Sequence, residues 1–147
     1  MILMVDERLF IDAENQVAGR LASRAAKEAL KGKRVVIVNV EKAIITGNPA
    51  FVIKRYYEMV TRGNPYHGPF YPKIPDRMLK RMIRGMLPHR KPNGRKAFLR
   101  IRVYNSIPQE FSKESFQRQE AGSMLGSKFI TLGKLSERLG AKRTWTA

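Results

Sequence analysis

Residues 35–40, Val-Val-Ile-Val-Asn-Val, form an almost unbroken β-branched run with no polar alternation. Such a strand has no face to offer water, so it predicts a strand covered on both sides, as in a parallel sheet. Upstream, residues 9–13 (LFIDA) are a second short apolar run, followed by a turn at Glu14, Asn15 and Gln16. Between the two runs, residues 17–31 place Arg20, Ser23, Arg24, Lys27, Glu28 and Lys31 at helical steps. Asn15 is expected to cap this helix and Gly32 to close it. Its other side carries Ala18, Ala22, Ala25, Ala26 and Ala29, small side chains that let a helix lie close to a sheet. Strand, helix, strand is a βαβ unit, and an α/β fold follows.

Residues 43–46 suggest another short strand. Gly47 and Asn48 then turn the chain into a helix that Pro49 opens and Gly63 ends. In that helix Val52, Tyr56, Met59 and Val60 can face a core, with Lys54, Arg55 and Arg62 outward. Residues 63–75, GNPYHGPFYPKIP, hold four prolines and two glycines and predict an extended loop of restricted freedom. Its rings can stack on unpaired bases or pack on their own domain. Phe70 and Tyr71 suit either role, whereas Tyr66 and His67 look more available. Residues 105–128 are mixed in charge and read as a peripheral segment with one short helix at most. Residues 129–132 are expected to return a strand to the sheet, a helix follows at 134–139, and Trp145 is a candidate anchor for the basic tail. The length of 147 residues suits one domain.

Charge says more about partners than about fold. Residues 77–102, RMLKRMIRGMLPHRKPNGRKAFLRIR, contain ten Lys or Arg and no Asp or Glu. Self-repulsion of that size is relieved beside a polyanion. The first part reads as a helix with Pro75 at its first position and Asp76 near its positive end. Met78, Leu79, Met82, Ile83, Met86 and Leu87 make its apolar stripe, and Arg77, Lys80, Arg81 and Arg84 the other side. Pro88 should end it at Leu87. Residues 88–96 then read as a turn-rich basic loop, with Pro92, Asn93 and Gly94 as breakers, and residues 97–104 as a strand with a basic edge.

A net charge of +17 exceeds what solubility needs and points to nucleic acid rather than to an acidic small substrate. There is no cysteine, so disulfides, thiolate metal sites and cysteine catalysis are excluded. No apolar run approaches the roughly 20 residues that span a bilayer. The leading MILMV is too soon interrupted by Asp6, Glu7 and Arg8 for a secretory signal, which suggests a soluble intracellular protein. A βαβ unit invites a nucleotide-binding enzyme, but Gly19 stands alone where several glycines are needed, and no P-loop pattern occurs. Glu41 imitates a ribose-binding acid by position only and is assigned a structural role. The two histidines, His67 and His89, lie in basic loops without a carboxylate cluster, so neither a metal nor an acid–base site is supported.

GRLAS at 19–23, GK at 32–33, VVIVNVEKAIITG at 35–47, GP at 68–69 and IRGMLP at 83–88 together resemble the family of the thirteenth universal large-subunit ribosomal protein. The match runs in order through most of the chain to about residue 108. The final ITLGKLSERLG at 130–140 is similar to the archaeal branch. The resemblance implies a three-layer α/β/α domain with a four-stranded, largely parallel sheet and basic loop extensions. It also implies a non-catalytic, cytoplasmic protein of the large subunit, bound to its ribosomal RNA and to neighbouring ribosomal proteins. No cofactor, small-molecule substrate or membrane is expected. RNA contacts are expected first at Arg81, Arg84, His89, Arg90, Lys91, Arg95 and Lys96. Lys54, His67 and Lys73 come next, and then Arg20, Lys27, Lys31 and Lys33. An RNA-acting enzyme and a free regulator of messenger or structured RNA are the alternatives that composition leaves open.

Overall fold

A computed structural model of the chain describes residues 7–118 and 128–145. In chain order its elements are β1 (Arg8–Asp12), α1 (Ala18–Leu30), β2 (Arg34–Val38), β3 (Ile44–Thr46), α2 (Pro49–Thr61), α3 (Pro75–Met86), α4 (Pro92–Leu99), β4 (Ile101–Val103), β5 (Phe129–Thr131) and α5 (Leu132–Arg138). The leading MILMV and residues 119–127 of the mixed-charge segment lie outside the described residues.

The α/β expectation holds. β1, β2 and β4 form a parallel sheet with β2 in the middle, in the register Phe10 to Val36 and Val36 to Arg102. The β-branched run is covered on both sides, but by different means. Val35 and Ile37 join the main core with α1 and α3. Val36 and Val38, with Phe10, instead meet Tyr104, Phe111 and Phe116. Phe10 lies 5.5 Å from Phe111 and 5.9 Å from Phe116 between ring centroids. Tilted and edge-on aromatic pairs of this kind contribute about 0.5–1.5 kcal/mol each beyond their buried area.

α1 shows why its alanines matter. Ala18, Ala22, Ala25, Ala26 and Ala29 are all buried, so the helix lies against sheet and α3 with no room for a longer side chain. Enlarging one, as in Ala22→Leu, would cost about 1–3 kcal/mol by overpacking. Gly32 ends the helix region with a φ of +100°, a conformation that favours glycine. Asn15 does not cap it. Asn15 itself sits in the left-handed region at φ +58°, and the N-cap is Val17, which makes no side-chain bond.

Three further expectations are corrected. The strand read at 35–40 stops at Val38, because Asn39 turns left-handed (φ 56°) and donates from Nδ2 to Asp12 Oδ1 at 3.1 Å. A 3₁₀ turn follows at Val40–Lys42. The strand at 129–132 does not return to the parallel sheet. β5 pairs antiparallel with β3, a separate ribbon flanked by the bonds Gly47 N–H to Lys128 O and Leu132 N–H to Ala43 O, both 2.8 Å. Finally, all of residues 92–99 are helix rather than loop and strand, leaving β4 only Ile101–Val103. Pro92 occupies the first helical position, where its missing N–H costs nothing.

Glu41 has the structural role assigned to it. Its buried carboxylate accepts the Ser106 backbone N–H at 2.9 Å, tying the 3₁₀ turn to the exit of β4. Trp145 is buried beside Gly133 of α5.

Candidate nucleic-acid interface

The site grows from the amphipathic pattern of α3. Met78, Leu79 and Ile83 are fully buried, and this packing orients the helix so that Arg77 and Arg84 face water. Asp76 sits in the first turn and Arg84 in the last, each complementing the helix dipole. Leu87 is buried as the chain leaves the helix. A tight turn then follows, with His89 N–H donating to Leu87 O at 2.8 Å and Lys91 N–H to Pro88 O at 2.9 Å.

Gly94 makes the elbow between α3 and α4 possible. A Cβ there would stand 2.1 Å from the Pro88 carbonyl oxygen, so only glycine lets the first turn of α4 lie directly on the preceding turn. Asn93 and Gly94 were read as helix breakers; in this place the glycine is what the close approach requires. The result is compact: Arg84, His89, Arg90, Lys91, Arg95 and Lys96 are all exposed on one bend. Arg95 Nε donates to His89 O at 3.3 Å, bracing it. Among the described residues no carboxylate forms an ion pair with any Lys or Arg of 77–102.

Other candidates are placed differently. Arg81 is engaged within the protein: its guanidinium lies 4.8 Å from the Tyr71 ring centre and donates to Phe70 O at 3.0 Å. Lys80 lies over Phe98 at 5.1 Å, joining α3 to α4. Such cation–π contacts contribute about 0.5–1 kcal/mol at exposed sites. Tyr71 also meets Tyr56 edge-on at 5.9 Å. Burial pushes the Tyr56 phenol up to about 12 and the Tyr71 phenol above its ordinary value, so both stay neutral at neutral pH. Tyr71 thus takes the packing role, whereas Phe70, Tyr66 and His67 are exposed at the loop. Lys73 is exposed just before α3, and its carbonyl accepts from the Ser136 hydroxyl. Lys54 is exposed on α2.

On α1, Arg20 and Lys27 face solvent, and Lys27 and Lys31 border a shallow groove with Met86 near the elbow. The end of α1 is electrostatically different. Lys31 pairs with Glu28 at 2.8 Å, and Lys33 with Glu7 at 3.2 Å and Glu28 at 3.4 Å. The hydrogen bond from Lys31 is the main reason the Glu28 carboxyl falls below its usual range, and the Glu7 hydrogen bond raises Lys33.

The sequence reading missed the contacts of several basic residues. Arg118 bonds both Asp12 and Glu14, Arg24 reaches Gln117 at 2.7 Å, and Arg100 donates to Ala29 O at 3.2 Å. These partners are 71 to 106 residues apart in the chain, so no local pattern signals them. Arg8, Arg34 and Arg100 stand at the heads of strands, a positional signal that periodicity passes over. Among the described residues no three His, Asp or Glu gather as a metal site, and no helix is long and apolar enough to cross a membrane.

A parallel α/β core with an acid-free cationic elbow defines a class: basic proteins built to lie against a polyanion. Sequence comparison supplies the family. The family described as ribosomal protein L13 matches residues 6–110. The chain is 44% identical over 140 residues to large ribosomal subunit protein uL13 of Haloarcula marismortui, covering 95% of this chain and 96% of that one. It is 44% identical to the uL13 of Methanopyrus kandleri (92% and 88% covered) and 45% identical to that of Methanosarcina barkeri (90% and 97%). The chain belongs to the ribosomal protein L13 family, a family of ribosomal structural proteins and not of enzymes.

Proposed function

We propose that this protein is a structural constituent of the large ribosomal subunit in the cytoplasm, where it binds and stabilises folded large-subunit ribosomal RNA and contacts neighbouring ribosomal proteins. The observation that carries the proposal is the elbow: Arg84, His89, Arg90, Lys91, Arg95 and Lys96 are exposed together and, among the described residues, no carboxylate is paired to them. Arrayed Lys and Arg neutralise phosphates and displace counterions, giving affinity with little base reading. Arg20, Lys27, Lys54, His67 and Lys73 extend the surface. Lys31 and Lys33 join it only by leaving their acidic partners, and Arg81 acts mainly by holding the aromatic loop on α3. The chain serves as one domain. An isolated parallel bridge from Ile11 of β1 to Gln117 supports a fourth strand in a three-layer α/β/α domain.

Crosslinking in native cell extract tests this, with the bound RNA sequenced and the crosslinked peptides mapped. Large-subunit RNA joined to peptides from 63–102 is the expected outcome. A dispersed set of other RNAs would replace the ribosomal role with that of a free regulator.

A further inference from the structure

The parallel sheet has a face turned away from α1 and α3, and basic residues gather at its N-terminal end. Side chains alternate along a strand. Phe10, Val36 and Val38 lie on this second face, so Arg8 and Arg34, two residues earlier on β1 and β2, share it. Arg8 and Arg34 are direct register partners, and Arg102 stands beside Val36 on β4. Ile101, the neighbour of Arg102, points the other way into the main core. Arg8, Arg34, Arg100 and Arg102 line a cleft of about 400 Å³ together with Leu99 and Phe111. Its floor is Val36, where the aromatic cover of the sheet gives out.

We infer that this cleft is a second phosphate-binding surface, one that takes an RNA segment on the opposite face of the sheet from the elbow. The inference rests on the proposed ribosomal role. Among the described residues no acid lines the cleft, and neither Arg8 nor Arg102 is paired with a carboxylate. Glu7, next to Arg8 in the chain, is turned to Lys33 at 3.2 Å. All the cations are arginines, whose planar forks bind phosphate oxygens two at a time. Leu99 is 73% exposed and gives the cleft an apolar wall. A sugar or base edge covers such a wall and an inorganic anion does not, which favours a polynucleotide. The protein would then act as a spacer: the elbow holds one RNA segment, the cleft a second, and the sheet with its helices fixes the separation between them.

Hydroxyl-radical footprinting of deproteinised large-subunit ribosomal RNA, bound to the full chain, provides the test. The wild type should protect two separate segments. Arg8→Gln with Arg102→Gln should lose one of them and lower the slope of log affinity against log salt by about 1.5–2 units. Arg8→Lys with Arg102→Lys keeps the charge and should retain most of that slope. Replacing Arg84, Arg90, Lys91 and Arg95 by Gln should remove the other segment instead. Unchanged protection and slope in the cleft Gln variant would overturn the inference. So would equal losses in the Gln and Lys variants accompanied by a lowered melting temperature, which indicate packing. If an oligoglutamate peptide occupies the cleft without disturbing any protection, the site is for protein and the inference also fails. Loss of protection in the cleft variant but none in the elbow variant would sink the elbow and leave the cleft standing.

Discussion

The elbow between α3 and α4 and the C-terminal end of α1 carry the same sign of charge but different amounts of available charge. At the end of α1, Glu28 and Glu7 stand within 3.4 Å of Lys31 and Lys33, so those lysines are already partnered. At the elbow no described carboxylate is paired with the basic side chains. A cation with a protein partner must give it up before it can neutralise a phosphate, whereas an unpartnered one has only water and counterions to release. Counting Lys and Arg therefore locates a basic protein. The position of the acids shows which of those cations are left without a protein partner.

The largest effect should come from emptying the elbow. Arg84→Gln, Arg90→Gln, Lys91→Gln and Arg95→Gln in one chain should shrink the slope of log affinity for ribosomal RNA against log salt by about 3–4 units. The fold should survive, because all four side chains are exposed; circular dichroism and a melting curve would check that. A variant that folds and binds with an unaltered salt slope would show that the RNA lies elsewhere.

Gly94→Ala separates the placing of charge from its amount. Every cation stays, but the new methyl group meets the Pro88 carbonyl at 2.1 Å, and backbone must move. A stability loss of about 3 kcal/mol in urea denaturation, at the upper end of ordinary overpacking, is expected. RNA affinity should fall with it. Full affinity with lost stability would mean that the cations need not be arranged on a bend.

How the helical form of α4 escaped the sequence reading, although its charges did not, is physically informative. Helical spacing in α1 and α3 was legible because each buries one continuous stripe, and the absence of acids from 77–102 was legible because it is a local property. α4 was not, since Pro92, Asn93 and Gly94 all favour turns in isolation. Only the approach of Pro88, six residues earlier, makes glycine the fitting residue there. Arg81 looked as available as Arg84. Its difference comes from Tyr71 and Phe70, ten and eleven residues away and folded back on the helix. The antiparallel pairing of β5 with β3 depended on where the chain lay after Val38, which turns on the left-handed Asn39.

Arg118 extends the comparison to a third kind of cation, one that bonds two carboxylates of its own chain, Asp12 and Glu14. Burial alone would raise the Asp12 carboxyl, but bonds from Arg118, the Glu14 backbone N–H and Asn39 outweigh it and hold the group below its ordinary 3.8. A depressed folded value means that the stabilisation is complete above about pH 4 and is lost as pH falls through the folded value. Arg118→Ala removes part of that depression. Acid unfolding, followed by fluorescence of Trp145, should then begin at a higher pH than in the wild type. RNA binding at pH 7 should be unchanged, the reverse of the elbow variant.

The smallest effect should have the opposite sign. Glu28→Gln keeps the size of the side chain and removes the charge that holds Lys31 at 2.8 Å and Lys33 at 3.4 Å. Glu28 has its carboxyl lowered by these partners, so its contribution to stability is present above its usual value of 4.5 and disappears in acid. At neutral pH the variant should therefore be slightly less stable, within the small range of exposed pairs. Lys31, which borders the groove beside Met86, becomes free to reach a phosphate, while Lys33 keeps Glu7. The salt slope should rise by up to about 1 unit. Adding Lys31→Gln should return it to the wild-type value, which ties the gain to one lysine. If neither change moves the slope, the end of α1 lies outside the RNA footprint whether or not its acids are present.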